Sequence, residues 1–199
     1  AVTAGPGLTN TITAVKNAQL AQSPLVLLGG AAPTALHGRG PLPGNDQMSL
    51  IARHVKRAQR VRRVADLGPA VERAFAVARD GVPGPAFVEC PVDLLYEEKL
   101  IRGWYAEAAG KGHSIPQRLV RWYLTRHADR LFEGSRVPYR PEPTAVETRV
   151  ASESALPRAA TALARAERPL LVIGSQAVVD AGAAAELASA VNRLGVPAY

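Results

Sequence analysis

The chain has 199 residues, 47% of them hydrophobic and 21% charged, a balance that fits a folded globular protein and excludes a disordered one. A formal net charge of +7 raises nucleic acid as a partner, yet only 5% of residues are aromatic and none interleaves with the basic run RHVKRAQRVRR at 53–63. That run is read as a solvated basic face or a site for an anionic small molecule, not as a nucleic-acid surface.

From the start, Ala1 to Ala4 reads as the end of a strand, Gly5 to Gly7 as a tight turn, and Thr9 or Asn10 as the N-cap of a helix running to about Gln22. SPLVLLGG follows, a continuous apolar run closed by two glycines, as expected for a parallel strand covered on both faces. The loop after it, residues 31–46, falls at the carboxyl edge of the sheet, where open α/β sheets bind ligands. A short helix is expected near Gln47–Arg53 and a strand near Gln59–Val64. The next helix places Leu67, Val71, Phe75 and Ala78 on one face and ends at Gly81. Ala86–Val92 is another buried strand, and Cys90 inside it is read as inert packing. A single cysteine excludes an internal disulfide and a Cys-based zinc site.

Residues 98–151 lose this order, and SRVPYRPEPTAVETR reads as a proline-rich linker. Order returns with a helix near Leu156–Ala166, a strand and turn in RPLLVIGSQAV, a helix in AGAAAELASAVNRLG and a further strand entering VPAY. Alternating strands and helices of this kind give an α/β fold with a parallel sheet. No apolar run approaches the roughly 20 residues of a membrane helix. The only methionine is Met48, so the chain is expected to be processed or partial, with both ends cut.

GPGLTN is not a dinucleotide fingerprint, since G-x-G-x-x-G would need glycine where Asn10 stands. Its physical content is narrower: Gly5 and Gly7 allow a sharp turn and close backbone approach, Pro6 stiffens it, and Asn10 offers a cap and an amide. The alternative is an ordinary strand-to-helix turn.

AGPGLTNTITAVKNAQLAQSPLVLLGGAAP, GPLPGNDQ, VPGPAFVECPVD, RWYL and RPLLVIGSQAV, in this order and spacing, resemble the thiamine-diphosphate-dependent enzymes of the acetolactate synthase and 2-hydroxyacyl-CoA lyase group. The resemblance implies that residues 1–97 are the C-terminal half of a pyrimidine-binding domain, 98–151 a linker, and 152–199 the start of a Rossmann-like central domain. It implies thiamine diphosphate and Mg2+ as cofactors, with FAD or ADP at the central-domain turn Gly174–Ala177. Gly5, Pro6, Gly7 and Asn10 would then lie beside the cofactor's aminopyrimidine ring, in a positional role. No catalytic residue is expected within 1–199, because the family's activating glutamate is expected upstream and its diphosphate motif downstream. This piece alone is therefore expected to be inactive.

In the loop after the second strand, relatives carry Phe-Gln-Glu where this sequence reads Leu42, Pro43, Gly44. Gln47 and His37 are the candidates to replace that contact to substrate, although His37 also reads as a surface-loop histidine. The implied activity is cleavage of a 2-hydroxyacyl-CoA to formyl-CoA and an aldehyde. The alternatives are carboligation of 2-oxo acids or a noncatalytic relative with an interaction role. Arg57, Arg60, Arg62 and Arg63 either attract an acyl-CoA's phosphates or form a solvated face. A homo-oligomer and an endoplasmic-reticulum membrane anchor in a preceding segment complete what the resemblance implies.

Overall fold

The computed structural model describes residues 1–36, 46–110, 112, 114–142, 151–178 and 180–199. They fall into two compact units, Ala1–Glu147 and Thr148–Tyr199.

The first unit is built on a parallel sheet of β1 (Leu25–Ala31), β2 (Arg57–Arg60) and β3 (Pro85–Pro91) in the order β1-β3-β2. Leu27 pairs with Phe87 on one side of β3 and Ala58 with Phe87 on the other. Val2 adds a parallel bridge to Gly29, so the first residues extend the sheet beyond β1. Central β3 is buried along its whole length, as a strand covered on both faces must be.

Side-chain alternation along β3 divides the core. Ala86, Val88 and Cys90 pack with Val61, Ala70, Ala74, Ala78 and Leu131. Phe87 points the other way, into Leu8, Val15, Leu27 and Ile51. Cys90 is a buried free thiol, and burial, then the charge of Glu89, pushes its pKa up.

Several expected elements shift. The first helix starts at Pro6, with Gly5 as N-cap, because proline suits the first helical position. It covers only α1 (Pro6–Thr9) and is followed by a separate α2 (Ile12–Leu20). Thr11, at the break, turns its hydroxyl back to Leu8 O at 2.6 Å. The helix α3 (Gln47–Ala52) is capped by Asp46, whose carboxylate accepts from Ser49 N at 3.1 Å. In α4 (Leu67–Arg79) the buried face is Ala70, Ala74 and Ala78, while Phe75 is 56% exposed. Small side chains let this helix lie close on the sheet, which overrides the larger residues of the expected stripe.

The segment expected as a linker from residue 98 is largely helical. The helices α5 (Glu98–Ala109) and α6 (Ile115–Leu131) pack on one another and bury Ile101, Ala109, Ala128 and Leu131 within the first unit. Scattered aromatics and arginines on their outer faces disguise the helical period.

The second unit contains α7 (Ala155–Arg165), α8 (Ala184–Leu194) and a short parallel bridge between Leu171 and Ala198. None of its described residues is buried. The turn at Gly174 leads into a 3-10 turn at Ser175–Val178, and the α-helix begins only at Ala184. Gly174–Ala177 is therefore not the N-terminus of an α-helix.

Candidate functional site

The carboxyl ends of Val2, β1 and β3 meet at the GPGLTN turn. Gly5 adopts φ 63° and ψ −115°, a conformation that side chains disfavour. A Cβ added at Gly7 would sit 2.4 Å from the side-chain oxygen Thr3 Oγ1, so a larger residue there requires Thr3 to move. Pro6 and Asn10 are exposed beside this bare backbone. Asn10 closes α1 through its own N–H to Pro6 O at 3.1 Å, and its side-chain amide has no hydrogen-bond partner among the described residues. A turn of this kind fits a ligand that meets backbone and short polar groups at the end of a sheet.

Behind the turn lies a buried polar chain that sequence reasoning missed. Gly5 N–H donates to Gln47 Oε1 at 2.9 Å. The Gln47 Nε2 group donates to Gly30 O at 3.0 Å and to Glu89 Oε1 at 3.1 Å. Glu89 in turn is ion-paired with Arg60. Gln47 is 2% exposed and Glu89 1%, so both polar groups are in the core with their partners supplied by protein. Gln47 thus faces inward and locks the turn to β1 and β3, a different task from the substrate contact expected of it. His37, with Leu42, Pro43 and Gly44, lies outside the described residues.

A second polar cluster sits at the same sheet edge. Asp93 Oδ2 accepts from Thr34 N at 2.7 Å, from Thr34 Oγ1 at 2.5 Å and from Tyr105 Oη at 2.6 Å. Thr34 Oγ1 also lies 2.6 Å from His127 Nε2. Thr34 has one hydroxyl proton and the carboxylate takes it, so Nε2 of His127 is the donor. Burial lowers the His127 pKa, with Arg130 adding to the effect and Asp93 opposing it. Burial, then the bond to Asp93, raises that of Tyr105. Asp93 Oδ1 is buried without a partner among the described residues. The available signal was chemical: Glu89 and Asp93 are carboxylates in or just after an apolar strand, where each needs a partner.

Comparison with known proteins gives a consistent setting. Residues 1–50 match the family described as "Thiamine pyrophosphate enzyme, N-terminal TPP binding domain". All of the chain aligns with the human protein named 2-hydroxyacyl-CoA lyase 2, at 47% identity over 200 residues and 31% of that protein's length. The Caenorhabditis elegans protein of the same name is 44% identical over 202 residues, again 100% of this chain and 31% of the relative. An acetolactate synthase large subunit from Parasynechococcus marenigrum is 35% identical over 96 residues, 48% of this chain and 16% of the relative. The chain thus spans about a third of the length of the curated relatives it matches throughout, with 31% for the human protein.

Proposed function

This chain belongs to the thiamine pyrophosphate enzymes, and on that premise we propose that the full-length protein is a lyase that cleaves the C1–C2 bond of a 2-hydroxyacyl-CoA. The products are formyl-CoA and an aldehyde one carbon shorter. The observation that carries the reading is the Gly5–Asn10 turn, held by buried Gln47 inside the span that matches the cofactor-binding family. Gly5 and Gly7 would let the backbone meet the cofactor closely, while Pro6 and Asn10 flank it. Gln47 and Glu89 contribute no chemistry of their own; they keep the turn in place. Thiamine diphosphate, when bound, supplies the electron sink for carbon–carbon cleavage.

The same reading includes Mg2+ at the cofactor's diphosphate, held by residues outside this chain, and FAD or ADP at the Gly174–Ala177 turn. It extends to a homo-oligomer and to association with the endoplasmic-reticulum membrane, which cell fractionation checks. Incubating the full-length protein with thiamine diphosphate and a 2-hydroxyacyl-CoA tests the activity: aldehyde and formyl-CoA should appear in equal amounts. No aldehyde release would overturn it. The likeness of 96 residues of the chain to an acetolactate synthase large subunit favours carboligation of 2-oxo acids as a second reading, which pyruvate consumption without aldehyde release would select.

A further inference from the structure

A groove of about 180 Å³ opens between the carboxyl end of β2 and the start of α4, lined by Gln59, Arg60, Arg62, Asp66, Pro69 and Arg73 among others. It is built from residues other than those of the Gly5 turn. Arg60, one wall, is held by its ion pair with Glu89. Arg62 and Arg73 are exposed and have no hydrogen bond or ion pair to any described residue, so both guanidiniums are uncommitted. The one carboxylate in the lining, Asp66, is already neutralised: Arg63 Nε and Nη2 reach its two oxygens at 2.9 and 3.0 Å. Asp66 is also the N-cap residue of α4, but its side chain caps no backbone N–H there.

Two uncommitted guanidiniums, Arg62 and Arg73, line a concave space beside the paired Arg60, with no uncompensated carboxylate in the lining. Guanidinium is the side chain best matched to phosphate, through charge and paired donors. We propose that this groove binds a phosphoryl group, either as free phosphate or carried on a small nucleotide. The groove is larger than one phosphate needs, which leaves room for part of the molecule that carries it.

The test uses the full-length protein at constant ionic strength, with thiamine diphosphate in excess so that phosphate cannot occupy that cofactor's own site. Inorganic phosphate and AMP are titrated separately by calorimetry into the parent, Arg62→Ala, Arg73→Ala, and Arg53→Ala, which alters the basic run outside the groove. Saturable binding is expected, weakened about tenfold or more by Arg62→Ala and Arg73→Ala and unchanged by Arg53→Ala, as loss of one charge-assisted contact implies. AMP binding more tightly than phosphate would assign the phosphoryl group to a nucleotide, and equal affinity would assign it to the free anion. Absence of saturable binding would overturn the proposal. So would equal weakening by all three substitutions, which would mark a diffuse basic surface.

Discussion

At the scale of single residues, the account turns on Gln47. Its amide satisfies three groups at once, the buried Gly5 N and Glu89 Oε1 and the partly buried Gly30 O. Gln47→Met keeps the volume but leaves all three short of a partner, at a cost of about 3 kcal/mol of stability, read from chemical denaturation. Gly7 offers a sharper contrast. Gly7→Ala would drive a methyl into Thr3 Oγ1 and destabilise the fold by about 1–3 kcal/mol. The double variant Thr3→Ala/Gly7→Ala removes the clashing atom and should recover most of the loss; no recovery would show that the backbone there is strained for another reason. His127 predicts a pH effect. Burial lowers its folded pKa from the ordinary 6.5, so the unfolded chain binds the proton first. The stability this neutral histidine contributes is therefore complete above about 6.5 and lost as pH falls below it. His127→Gln should flatten that acid limb of a stability–pH profile.

At the scale of elements, α4 separates the buried face from the bulky one. Ala74→Leu should cost about 1–3 kcal/mol because Ala74 lies against the sheet, whereas Phe75→Ala should stay within about 0.5 kcal/mol. The reverse order would restore the stripe expected from the sequence. That contrast also explains what the sequence could convey. Strand β1 and the tight turn at Gly5 were legible because a continuous apolar run and closely spaced glycines are local signals. The tasks of Gln47 and Glu89 were not, since Gly5 and Gln47 lie 42 residues apart and meet only when β1 and β3 pair. α5 and α6 were hidden for a related reason. Ile115, Leu119 and Trp122 are 83%, 63% and 61% exposed while Leu131 is buried, so apolar positions of α6 lie on both its outer and its buried side. The periodicity that normally reveals a helix was thus blurred by residues that face away from the core.

At the scale of the whole molecule, the first unit carries a two-faced core around β3, while the second holds a bridge, two α-helices and two 3-10 turns, with no buried residue among those described. The turn proposed to face the cofactor lies in the first unit, where β1 and β3 end and Gln47 fixes it. The full-length protein is thus expected to bind thiamine diphosphate through a surface whose geometry depends on a residue that never touches the cofactor. The measurement that tests this most directly is a thiamine diphosphate titration of the full-length protein beside its Gln47→Met variant, both confirmed folded by circular dichroism. Saturable binding in the parent, weakened about tenfold or more in the variant, is the predicted result for a displaced turn. Equal affinities in the two, or no binding by the parent, would contradict the account.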